Sequence, residues 1–121
     1  MAAGHGGFRV RRVYDDVEPG DGTRVLVDRL WPRGVSKERA AVDEWPKELT
    51  PSDELRRFLH ADPDRYDEFA RRYREELAEA APAAAARRLR QLAERGPVTL
   101  VTAVKDPDRS HVPTLLAALR G

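Results

Sequence analysis

The sequence predicts an α/β fold: one compact domain with a small, mixed but mostly parallel sheet and helices packed on it. Three observations carry this prediction. Val25-Leu26-Val27 and Val98-Thr99-Leu100-Val101-Thr102-Ala103-Val104 are short runs dominated by apolar and β-branched residues, the pattern of strands buried on both faces. Residues 50–95, lying between them, carry proline-led starts and apolar stripes at helical spacing, which supplies chain for a crossover between parallel strands. A length of 121 residues is that of one domain with a core of its own.

Residues 1–7, rich in glycine and alanine, read as a disordered tail, and residues 8–121 as the domain. Phe8 to Tyr14 reads as a strand with Phe8, Val10 and Tyr14 on one face and Arg9 and Arg11 on the other, as on an exposed side or an edge. Residues 15–22, ending Glu18-Pro19-Gly20-Asp21-Gly22, are turn chemistry. That link is short for a parallel crossover, so strand one is expected to be antiparallel to strand two or not adjacent to it. Strand two runs from about Thr23 to Leu30. Residues 36–41 suit one helical turn, and Val42 to Trp45 a short further strand. Thr50-Pro51-Ser52-Asp53 predicts a helix over about 51–60 with Thr50 as N-cap. Asp62-Pro63 opens the next, over about 63–80, with Tyr66, Phe69, Ala70, Tyr73 and Leu77 as a core-facing stripe. Pro82 begins a third, over about 83–95, which Gly96-Pro97 stops. The last strand, 98–104, leads through the loop 105–111 into a final helix over about 113–120, with Leu115, Leu116 and Leu119 inward.

Composition narrows the function. Lysine plus arginine is 22 against 21 aspartates and glutamates, a formal charge of +1, so any anion binding must come from a local cluster. No cysteine is present, which removes disulfides, thiolate nucleophiles and thiolate metal sites and suits a reducing cytoplasm. No apolar run approaches the roughly 20 residues that span a bilayer, and the N-terminus lacks the cationic start and apolar stretch of a secretory signal.

Two segments carry candidate chemistry. Strand two empties into Asp28-Arg29-Leu30-Trp31-Pro32-Arg33-Gly34, where Arg29 and Arg33 offer forked donors to a carboxylate or phosphate and Trp31 a face for stacking. The competing reading has Trp31 plugging the core edge and Arg29 pairing with Asp28 or Glu44. The second segment, Lys105 to His111, joins the last strand to the last helix, where free N–H groups favour an anion and Lys105, Arg109 and His111 add donors. Its competing reading is an ordinary loop with Ser110 as the helix cap. If the two strands are parallel, both loops leave one carboxyl edge, the position where open α/β sheets bind ligands. His5, His60 and His111 have no metal-ligand spacing, so no metal and no cofactor is expected.

Arg12-Val13-Tyr14-Asp15, VLVDRLWPRGVSKE (25–38), DEWPKELTPSDELRRFL (43–59), DPDRYDEFARRYREEL (62–77) and GPVTLVTAVKD (96–106) resemble, in order, the YeaO-like branch of the domain-of-unknown-function 488 family. The resemblance covers nearly the whole chain beyond the tail. It implies a compact α/β domain in a bacterial cytoplasm and, as the family name says, no assigned activity. Longer members resemble a pattern of Cys-Ala-Glu after the buried strand and Cys-His-Arg opening the last helix. Thr102-Ala103-Val104 and Ser110-His111-Val112 stand at those places here. Only the histidine matches, so cysteine-dependent chemistry does not carry over.

The leading reading is a cleft that accepts a small anion (phosphate, carboxylate or nucleotide) on Arg29, Trp31, Arg33 and Lys105. Acid–base chemistry there would fall to His111 or Asp28. Neither a membrane nor nucleic acid is expected as a partner in this reading. The alternative is a non-enzymatic module that contacts a protein or nucleic acid through the RLWPRG loop. Whether the chain is an enzyme, and its oligomeric state, are not legible.

Overall fold

The computed structural model describes residues 7–120. The expected disordered tail lies outside them except for Gly7, whose carbonyl accepts from the Val98 N–H at 2.9 Å. Three strands form the sheet: β1 (Phe8–Arg12), β2 (Thr23–Leu26) and β3 (Val98–Thr102), in the order β1-β3-β2, with both pairings parallel. The sheet expected to be mixed is thus parallel throughout these strands. β1 and β2 are not adjacent, as anticipated, but the antiparallel alternative fails. The short connection works because β3 occupies the gap between them and because its turn is held in place. Arg9 donates to the Gly20 carbonyl at 2.9 Å and to Glu18 at 3.1 Å, and Arg11 pairs with Glu18 and donates to the Asp16 carbonyl. Gly22 then enters β2 with φ +63°, and a Cβ there would stand 2.2 Å from the Pro97 carbonyl oxygen. Only glycine permits that approach.

The strands are shorter than their apolar runs. β1 ends at Arg12, which leaves Tyr14 exposed rather than on the Phe8 face. β2 ends at Leu26, although the Val27 N–H still bonds the Val101 carbonyl at 3.1 Å. The expected strand over 42–45 is a single parallel bridge between Val25 and Glu44.

Among the described residues five α-helices pack on the sheet: α1 (Lys37–Ala40), α2 (Asp53–Ala61), α3 (Tyr66–Leu77), α4 (Ala80–Arg95) and α5 (Val112–Arg120). α2 starts later than expected and is capped by Ser52, not Thr50. Ser52 Oγ accepts from the Leu55 N–H at 3.2 Å, and Glu76 of α3 holds Ser52 by both its N–H and its hydroxyl. Thr50 instead closes the preceding 3-10 turn by donating to the Lys47 carbonyl at 2.7 Å. Pro63 opens a 3-10 turn, Pro63–Arg65, from which α3 continues. Pro82 lies inside the first turn of α4, where a missing N–H costs nothing.

Strand alternation divides the core. Phe8, Val25, Val27, Val98 and Leu100 face α2 to α5, packing on Leu55, Phe69, Tyr73, Leu89, Leu115 and Leu119. Leu26, Val101 and Val13 belong to a smaller cluster that α1 and the segment 31–45 close, through Val35, Ala40, Trp31 and Trp45. Also buried are Arg24 and Asp21, joined at 2.6 Å.

Candidate functional site

Because β2 and β3 are parallel, the loops that follow them leave the same edge of the sheet. Asp28, the second residue beyond β2, clamps that edge. One carboxylate oxygen accepts from the Thr102 hydroxyl at 2.6 Å and the other from the Ala103 N–H at 2.7 Å. This diverts the chain out of the sheet and starts the loop that carries Arg29, Trp31 and Arg33. His111, at the head of α5, reaches back so that its Nε2 lies 2.7 Å from the Val27 carbonyl and 3.6 Å from Asp28 Oδ1. Nε2 is the donor in that geometry, since a carbonyl can only accept. Burial lowers the pKa of this imidazole, against the opposing pull of Asp28 and of the Val27 carbonyl, so the ring is neutral at physiological pH. Its edge packs against Tyr73, whose hydroxyl donates to the Leu49 carbonyl.

Trp31 is fixed on two sides. Its indole N–H donates to the Val35 carbonyl at 2.7 Å, and its ring meets Trp45 edge-on at 5.5 Å. Trp45 in turn donates to the Asp28 carbonyl at 2.7 Å. Arg29 donates to Thr50 Oγ1 at 3.1 Å and lies 4.0 Å from Asp53, which also pairs with Arg56 at 3.2 Å. The loop is thereby tied to the start of α2.

Between these loops, α2 and the head of α3 lies a cavity of about 1140 Å³. Its surface is largely apolar, with Trp31, Pro32, Leu59, Pro63 and Phe69 among its lining residues. The Tyr66 hydroxyl reaches the Ser110 carbonyl at 2.5 Å along one wall, and burial raises its pKa. Five arginines (29, 33, 56, 57 and 109) line the cavity against two aspartates (28 and 106).

Of the residues singled out from sequence, Asp28, Arg29, Trp31, Arg33 and His111 meet at this cavity. Lys105 does not: it is exposed and outside the lining, one residue beyond Val104, which is part of it. Arg29 pairs with neither Asp28 nor Glu44; Glu44 is held instead by Arg88. Asp28 and His111 are both engaged in holding strand ends together. Arg56, Arg57 and His60, on α2, were not among the candidates. Only their position on a helix that folds over the β2 and β3 loops brings them here, and no local motif announces that. Tyr66 and Phe69, read purely as core, also face the cavity. Among the described residues no group of three or more histidine, aspartate or glutamate side chains is placed to hold a metal, and no helix is long and apolar enough to cross a membrane.

Residues 7–121 match the family described as the Inactive DUF488-N3 subclade. The chain is 50% identical over 113 residues to uncharacterised proteins of Mycobacterium tuberculosis and Mycobacterium bovis, covering 93% of this chain and 93% of each relative. It is 44% identical over 113 residues to the uncharacterised Escherichia coli protein YeaO, covering 93% of this chain and 96% of the relative. No solved structure matches it significantly.

Proposed function

The chain belongs to the Inactive DUF488-N3 subclade, and from that premise we propose that it is a binding protein of the bacterial cytoplasm whose cleft receives an organic anion without turning it over. The observation that carries the proposal is the state of the arginines. Among the described residues, no carboxylate pairs with the side chains of Arg33, Arg57 or Arg109, although all three line one apolar cavity. All three are exposed, so their forked donors are open to an anion that enters the cavity. Turnover is disfavoured by the same geometry. Asp28 spends both oxygens on the end of β3, and His111 spends its one N–H on Val27, so Nε2 has no proton to offer a ligand as a general acid.

Isothermal titration of the purified protein with phosphate, sulfate, carboxylates and nucleotides tests the proposal. Saturable binding by an anion, weakened by Arg33→Ala and Arg109→Ala and not followed by chemical change of the ligand, is the expected result. A second reading, a contact surface for another macromolecule, is favoured by one observation: Leu30, in the same loop, is 66% exposed. It predicts that Leu30→Ser abolishes association with a partner and that no anion binds saturably to the wild-type protein.

A further inference from the structure

We infer that the ligand of this cleft is a nucleoside di- or triphosphate, with its base against Trp31 and its phosphates on Arg33, Arg57 and Arg109; the inference rests on the anion-binding reading above. The cavity has two chemically distinct parts, and each constrains the ligand. Trp31 lines it with its only polar atom already committed to Val35. What the indole offers a ligand is therefore carbon surface, which receives a flat ring by stacking and cannot read a hydrogen-bonding edge. Leu59 and Pro63 extend that apolar surface. A ligand that is only a small oxyanion would leave all of it wet.

The arginines constrain the other end. Arg33 stands in the loop after β2, Arg57 on α2 and Arg109 in the 3-10 turn, Pro107–Arg109, before α5. Their charges thus come from three separate segments around the opening rather than from one turn. A single carboxylate neutralises one such group; a chain of phosphates carries charge and forked acceptors to several. The volume of about 1140 Å³ lies above the range of about 300–1,000 Å³ usual for drug-sized ligands, so a base, a ribose and several phosphates are accommodated together. The two carboxylates of the lining, Asp28 and Asp106, are outnumbered by its five arginines, and Asp28 is turned toward Thr102 and Ala103. The apolar face of Trp31 also predicts that the identity of the base matters less than its presence.

The experiment compares ATP, ADP, AMP, adenosine, tripolyphosphate and a single-stranded oligonucleotide by titration calorimetry, with proton NMR of the bound base. The expected order is ATP tightest, then ADP, then AMP. Adenosine and tripolyphosphate should each be at least about tenfold weaker than ATP, since each loses one of the two contacts. The base protons should shift upfield by the ring current of Trp31. Arg57→Ala, at an exposed position on α2, should weaken ATP and tripolyphosphate alike by about tenfold. Trp31→Leu should weaken ATP and leave tripolyphosphate unchanged; if that variant fails to fold, the upfield shift in the wild-type protein decides the same point. Equal affinity for ATP and tripolyphosphate, with no base shift, overturns the inference while leaving an anion cleft in place. An oligonucleotide at least tenfold tighter than ATP also overturns it, in favour of a nucleic-acid partner. No saturable response to any anion removes both this inference and the reading beneath it.

Discussion

His111 is buried, neutral and committed to a backbone carbonyl, and its pKa is lowered chiefly by desolvation, with a smaller push from Arg56. The unfolded chain therefore binds a proton on this ring more readily than the folded one. Above the ordinary histidine value of 6.5 both states are neutral and the group leaves stability independent of pH. Below it the unfolded state is protonated first, so stability should fall as pH decreases until the folded-state pKa is passed. Denaturant melts between pH 8 and 4 should show this loss, and His111→Gln should remove that part of the slope. A slope identical in the variant would contradict the assignment. Asp28 gives a second residue-scale prediction. Asp28→Asn replaces one acceptor by a donor facing either the Thr102 hydroxyl or the Ala103 N–H, leaving a buried group unmet at a cost of about 1–3 kcal/mol. A denaturation midpoint equal to wild type, together with lost anion binding, would instead make Asp28 a ligand-contact residue. Sequence located both residues but could not say what they touch. The chemistry of a side chain is local, whereas the carbonyl or amide that engages it is supplied by the fold.

At the scale of elements, periodicity was the readable signal. The stripe Tyr66, Phe69, Tyr73 and Leu77 predicts the buried face of α3, which Phe69, Tyr73 and Leu77 form while Tyr66 lines the cavity, and the apolar run around Leu100 predicts β3, whose residues are all buried. Phe69 is 1% exposed and packs between Tyr66 and Tyr73 at centroid distances of 5.9 and 5.8 Å. Phe69→Ala should destabilise the fold by about 3–5 kcal/mol, measured as a shift in the denaturation midpoint. An unchanged midpoint would mean that the ring serves the cavity rather than the core. Caps were harder to read, because Thr50 and Ser52 are both residue types that cap helices and lie two positions apart. Tertiary contact decided between them: Glu76, distant in sequence, fixes Ser52, and Arg29 takes Thr50. Strand ends failed for a related reason. Val27 continues the apolar run and the hydrogen-bond ladder, but Asp28 ends the strand through contacts to β3.

Across the whole molecule, charge is balanced in sum and uneven in space. The formal charge is +1, yet five arginines and two aspartates surround the cavity, so acidic residues must be in excess elsewhere. Topology was the inference that carried furthest: parallel β2 and β3 bring both loops to one edge, as runs buried on both faces imply. What remained illegible was the α2 wall, because packing, not spacing, lays Arg56 and Arg57 over the loops. An uneven field of this kind has a measurable consequence. At low salt the opening should attract anions over roughly 10 Å or more, whereas near 1 M salt the reach falls to about 3 Å. Association with an anionic ligand should therefore slow as salt rises from 50 to 500 mM, with dissociation changing less, because contacts inside the cavity are less screened. Arg109→Glu, which adds a negative charge at the rim, should slow association further and flatten its salt dependence. Stopped-flow quenching of Trp31 by the ligand separates the two rates. If association proved insensitive to salt and to Arg109→Glu, the arginines would not be acting as an electrostatic entrance, and the cleft would have to be filled through its apolar surface alone.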